Sequence, residues 1–131
     1  MNEVITHITE GVEVTVSSSY LQDFSSPEQG HFVFGYKIKI TNNSIYTIQL
    51  LNRFWDIFDS GGQAREIEGE GVIGQQPILE SGQSHEYTSG CNLSSSMGRM
   101  KGHYEFSRIA DNSKFIVLIP SFNLIAPFVL N

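Results

Sequence analysis

Apolar residues recur along this chain at every second position, and no window shows a helical stripe with caps. In GVEVTV, residues 11–16, Val12, Val14 and Val16 share one face while Glu13 and Thr15 share the other. The run HFVFGYKIKI places Phe32, Phe34, Tyr36, Ile38 and Ile40 against Lys37 and Lys39, and ends at the turn cluster TNNS. YTIQLLNRFWDIF is apolar on both faces, the pattern of a central strand between two packed layers. It leads into Asp59-Ser60-Gly61-Gly62, residues that supply the positive φ of a hairpin. Residues 78–83 read as a strand end and turn, and residues 85–89 as a short strand. In residues 99–109, Met100, Gly102, Tyr104 and Phe106 oppose Arg99, Lys101, His103 and Glu105. KFIVLIP is another apolar strand, and the tail beyond it carries Pro127, which confines it to an edge or coil.

Seven or eight short strands separated by turn signals predict an all-β fold, a two-sheet immunoglobulin-like sandwich with Greek-key connections. No cysteine pair flanks Trp55, so the disulfide-free fibronectin type III style fits better than an antibody domain. Trp55 is then a core anchor. FSSPEQG, residues 24–30, is the most loop-like stretch, and no linker divides residues 1–131, which read as a single domain.

Composition narrows the function. A formal net charge of −6 with only 8 basic residues, scattered along the chain, argues against nucleic acid and gains nothing at an anionic membrane. The single cysteine, Cys91, forbids an intramolecular disulfide and sits in a turn-like stretch. The first residues lack a basic-then-apolar secretory pattern and no run is long enough to span a membrane, so the chain reads as cytoplasmic.

One stretch invites a chemical reading. GEGVIG, with Gly69, Gly71 and Gly74, is a literal G-x-G-x-x-G. A dinucleotide fingerprint needs a helix after its last glycine, because the helix N-terminus binds the pyrophosphate. Here Gln75-Gln76-Pro77 follows, with Ser81-Gly82 close behind, and Glu66, Glu68 and Glu70 surround the motif. As a dinucleotide motif it fails. Two uses remain open: glycines that supply positive φ, a bulge or close backbone contact, or a ligand-facing loop whose N–H groups form an anion nest.

The long run RFWDIFDSGGQAREIEGEGVIGQQPILESGQSHEYTSG resembles the signature of the ApaG family. That signature has the form R-H-W-x-I, D-x-x-G, V-x-G-x-G-V-V-G-x-Q-P-x-L-x-P-G-x-x-x-x-Y-x-S-G. The likeness extends over roughly residues 10–127 and carries over Gly69, Gly71, Gly74, Gln76-Pro77 and Tyr87-Thr88-Ser89-Gly90. Phe54 stands where the family has its usual histidine, and Ser81 where it has proline. The resemblance implies a fibronectin type III-like sandwich and a small bacterial protein linked to cobalt resistance and magnesium efflux. Its relatives recur as domains in eukaryotic F-box proteins and in a polymerase-interacting protein, where they mediate protein contacts.

No residue set asks for catalysis: there is no serine elbow and no G-x-S-x-G, and no cofactor is implied. The 4 histidines, His7, His31, His85 and His103, lie outside metal-ligand spacing of one another. Arg53 and Asp56 fall on opposite faces of a regular strand. The expected function is a non-catalytic module binding a protein partner through residues 65–77 and 87–90. The alternatives are a small-anion binder, for pyrophosphate or a nucleotide polyphosphate, using residues 69–74 with Arg53 or Arg65, and a divalent-metal-responsive protein. The candidate binding residues are Arg53, Arg65, Gly69, Gly71, Gly74, Gln76, Tyr87 and Ser89. The apolar tail also suggests a homodimer formed by strand addition.

Overall fold

Val14 and Val16 are fully buried and pair in register with Ile40 and Ile38 of a neighbouring strand, which are equally inaccessible. That cross-strand pairing of β-branched residues seeds one of two antiparallel sheets. In this computed structural model, which describes residues 3–130, the first sheet runs in the order β1 (Val4–Thr9), β2 (Val12–Tyr20), β3 (Phe32–Asn42) and β7 (Ser84–Leu93). The second runs β5 (Gln63–Glu70), β4 (Ile48–Asp59), β8 (Met97–Arg108) and β9 (Lys114–Ile125), with the two-residue β6 (Ile78–Leu79) pairing the start of β4. Short 3-10 turns occupy Gln22–Phe24, Pro27–Gln29 and Pro127–Leu130. Among the described residues, no helix is long and apolar enough to cross a membrane.

The two sheets pack face to face as a sandwich. Tyr36 of β3 meets Trp55 of β4 and Phe122 of β9 with ring centroids 5.5 and 5.8 Å apart. Trp55 is therefore core, as the sequence suggests. The turn after β3 is tied down by Asn42, fully buried, which donates to the carbonyls of Tyr46 and Leu79 and accepts from the N–H and hydroxyl of Ser44. The hairpin after β4 is held by Asp59, only 6% exposed, whose carboxylate accepts from the Gly61 and Ser94 N–H groups and the Ser94 and Ser95 hydroxyls.

One flank of the sandwich is closed and the other open. On the closed flank β9 packs against β1 and β2. The Leu118 N–H donates to Thr9 Oγ1 at 3.2 Å, and Ser18 Oγ donates to the Asn123 carbonyl at 3.3 Å. The edge of β9 thus faces its own chain, where strand addition by a second copy would first meet β1 and β2. The tail beyond β9 folds back, with Phe128 edge-on to Tyr20. On the open flank, β5 and β7 face each other without comparable packing.

The strand pattern holds, with four corrections. β1 carries no clean alternation: Ile5 is its one partly buried hydrophobic against the core, so periodicity does not mark it. β5 covers residues assigned to a glycine loop, because this edge strand is exposed along nearly its whole length and has no apolar face to read. The last strand runs through Pro120 rather than ending there. A register shift between Met100 and Gly102 leaves Pro120 outside the ladder, where its missing N–H costs nothing. Cys91 lies inside β7, buried, not in a turn.

Candidate functional site

The glycine motif is the end of β5 and a tight turn. Gly71 N–H donates to the Leu51 carbonyl at 2.8 Å, and Val72 and Gln75 exchange both backbone hydrogen bonds. Ile73 and Gly74 between them have φ of 47° and 72°, the two positive values of a type I′ hairpin turn. Gly71 has φ 65°, and a Cβ there would lie 2.3 Å from the Gln75 carbonyl oxygen. Gly69 leaves room for Arg53: a Cβ would stand 2.8 Å from its guanidinium, which crosses β5 at that point, and would make the arginine shift. The N–H groups of Gly71, Val72 and Gln75 are spent on backbone carbonyls, so the motif is built as a turn rather than as a cradle of free donors. Gln76 belongs to the same device, its amide donating to the Leu51 carbonyl at 2.9 Å.

What the turn secures is an arginine. Arg53 lies on the inner face of β4, level with Gly69 in register, and its Nη1 donates to the carbonyls of Glu70 and Gly71 at 3.1 and 2.9 Å. Arg65, two register positions further along β5 from Ile67, reaches across the open flank. Its Nη2 donates to the Asn92 carbonyl at 2.5 Å and to Cys91 Sγ at 3.4 Å. Both guanidinium groups line one cleft of about 410 Å³ with Tyr36, Ser89 and Asn92. Among the described residues neither arginine has a carboxylate within ion-pair distance; the ion pairs there are Lys37–Glu86 and Arg108–Glu10. Carbonyl and thiol partners satisfy hydrogen-bonding capacity but cancel no charge, so the cleft keeps two positive charges.

The cleft also perturbs its acidic groups. Burial pushes the Tyr36 phenol up, while Ser89 and the positive charge of Arg53 pull the other way. Burial likewise raises the Cys91 thiol, opposed by Arg65, so this cysteine stays protonated and unreactive at neutral pH. Deeper in, Tyr87 of β7 and Tyr104 of β8 join the two sheets hydroxyl to hydroxyl at 2.5 Å, and burial raises both phenols. Tyr104 is fully buried. Tyr87→Phe should therefore cost about 1–3 kcal/mol by orphaning the Tyr104 hydroxyl, while the Tyr87→Phe/Tyr104→Phe pair should come closer to wild type. Urea midpoints of the two variants check this.

Comparison with known proteins gives the framework a lineage. A family profile described as "ApaG domain" matches residues 22–108. The chain belongs to the ApaG family. Proteins named "Protein ApaG" from Brucella canis and Brucella anthropi are similar at 44% and 46% identity over 120 residues, covering 92% of each chain. Among solved structures, a putative ApaA protein from Bordetella pertussis superposes with a TM-score of 0.85 at 38% identity, over 88% of this chain and 94% of that one. A second X-ray structure, a structural-genomics target, gives a TM-score of 0.86 at 28% identity, over 95% and 94%. The two-sheet sandwich and the ApaG signature therefore belong together.

Within this ApaG framework the eight candidate residues divide. Arg53, Arg65 and Ser89 line the cleft, the Gly71 carbonyl helps hold Arg53 in place, and Gly69 leaves room for it. Gly74 and Gln76 shape the turn outside the cleft, and Tyr87 sits beneath it in the tyrosine pair. Phe54 points to the outer face and stacks on His103 with centroids 4.5 Å apart. Among the described residues no three His, Cys, Asp or Glu side chains come together as a metal group would. Sequence reasoning missed Tyr36 and Asn92. Only the β3–β7 register, which sets Tyr36 beside Ser89, brings Tyr36 to the cleft, and no local pattern encodes that.

Proposed function

We propose that this protein is a non-catalytic binding module that takes an anionic group, a phosphate or pyrophosphate, into the cleft on its open flank. One observation carries the reading: Arg53 and Arg65 enter the same cleft without carboxylate partners among the described residues. Each guanidinium commits a single nitrogen to protein acceptors and keeps its remaining N–H groups for a ligand. Ser89 lines the same space. Planar forks of this kind match phosphate oxygens in pairs. The acidic side chains of β5 do not oppose the ligand, because Glu66, Glu68 and Glu70 alternate with Arg65, Ile67 and Gly69 and so point to the other face.

Calorimetry with pyrophosphate and a nucleoside triphosphate tests this. Wild type should give heat at submillimolar to millimolar ligand, and Arg65→Gln should weaken binding about tenfold or more while its cooperative thermal melt shows that it stays folded. No heat at millimolar concentrations of either ligand would reject an anion site in this cleft.

A further inference from the structure

The open flank is a slot between two edge strands, and its side chains repeat at the period of a third strand. β7 ends one sheet there and β5 ends the other, so each has an edge with no neighbour among the described residues. Contacts between the sheets fix how the two edges line up. Tyr87 bonds Tyr104, which pairs in register with Arg53 and through it with Gly69. Tyr36, the partner of Ser89, packs on Trp55, the partner of Ile67. Cys91 accepts a hydrogen bond from Arg65. Tyr87 is therefore level with the Arg53 guanidinium lying over Gly69, Ser89 with Ile67, and Cys91 with Arg65. The wall opposite β7 reads cation, apolar, cation at every second residue, and its outer positions stand about 13 Å apart along the strand. Ile67, between them, is 40% exposed.

The edge of β7 supplies backbone partners for the same space. The Asn92 carbonyl turns to the open flank, where it meets Arg65, while the Gln83 carbonyl accepts from the Asn42 N–H on the β3 side. Antiparallel strands alternate these directions, so Thr88 and Gly90 turn their N–H and C=O groups to the flank as Asn92 does. No strand meets them there among the described residues, and Gly90 brings no side chain to shield the edge. An extended peptide carries the side chains of one face at this same period of two. We infer that the slot receives such a segment as an antiparallel strand on β7, with anionic side chains at its first and fifth positions and an apolar one at its third. The inference rests on the reading that Arg53 and Arg65 take anions, and it names their source as one partner chain. Charge decides admission: a neutral or basic segment would shut both guanidinium groups away from water with no counter-charge. The third position lies over Ile67, whose exposed surface it covers. Main-chain bonds to an edge with alternate side chains read by the wall behind it is a recognised way of holding a peptide.

Fluorescence anisotropy with a labelled nonapeptide tests the inference, its third and seventh residues glutamate, its fifth valine and the rest serine or threonine. The wild-type protein should bind it below about 1 mM. Moving the second glutamate to the sixth residue puts the two anions on opposite faces and should weaken binding about tenfold or more. N-methylation of the fourth and sixth residues, whose N–H groups face β7 in the antiparallel pairing, should abolish binding without any change to the protein. Arg65→Gln should weaken the parent peptide about tenfold or more, with a cooperative melt as the check on folding. A second peptide with phosphoserine in place of both glutamates separates the two sources of anion: tighter binding assigns a phosphorylated partner, equal or weaker binding an acidic one. The proposal is overturned if neither peptide binds at about 1 mM, or if the shifted or methylated peptide binds as well as its parent. Pyrophosphate calorimetry on the same sample keeps the two ideas apart. Heat with pyrophosphate but no peptide binding removes the peptide and leaves the anion cleft, whereas silence from both removes the two together.

Discussion

Replacing Gly71 with alanine is expected to destabilise the protein by about 3 kcal/mol and to lower its melting temperature by about 10 °C. Two costs add. The residue has φ 65°, where a side chain costs about 1–2 kcal/mol. A Cβ would also stand 2.3 Å from the Gln75 carbonyl oxygen, backbone that can retreat only by opening the type I′ turn. Opening the turn releases the carbonyls of Glu70 and Gly71 that hold Arg53, so the loss spreads from the hairpin to the cleft. Ile73→Asn, two residues on, should move the other way by about 1 kcal/mol, because asparagine accepts the positive φ that isoleucine resists. Thermal melts of both variants decide the matter; a Gly71→Ala protein that melts with wild type would mean the turn relaxes at no cost.

The second large effect concerns acid. Burial by itself would raise the Asp59 carboxyl, but the hydrogen bonds from Ser95, Ser94 and Gly61 outweigh it and hold the group at about 2. The unfolded chain has an ordinary aspartate near 3.9. A depressed folded value means the stabilisation is complete above about pH 5 and drains away as pH falls through 4 toward 2, an amount on the order of 2 kcal/mol. Asp59→Asn should cost about 2–4 kcal/mol at neutral pH, since an amide cannot accept all four bonds, and should flatten that acid limb. Urea midpoints of both proteins between pH 7 and pH 2 measure the difference. An acid limb of equal depth in both would assign the pH dependence to other carboxylates.

The layers of the fold were legible because burial on one face imposes period two, and β2, β3 and β8 show it plainly. β5 shows where that signal stops: an edge strand with glutamates outward and a shallow inner face has no hydrophobic stripe to read. Asp59 read as a turn residue, and its burial depends on Ser94 and Ser95, more than thirty positions away. The glycine motif was legible as a structural device, yet its purpose was not. That Gly69 makes room for Arg53 depends on which residue pairs with which across β4 and β5, and register is a property of the assembled sheet. The cleft follows the same rule, since Arg65 and Asn92 meet only after the two sheets stack.

The arginine contacts on the open flank also bear on how this protein behaves when concentrated. Unpaired carbonyls along a sheet margin are where unrelated chains zip together into aggregates. Arg53 and Arg65 occupy such carbonyls at Glu70, Gly71 and Asn92, and they do so with groups too polar to join a growing ladder. A further chain lacking acidic side chains would meet two positive charges at that margin in place of open carbonyls, which opposes ladder growth there.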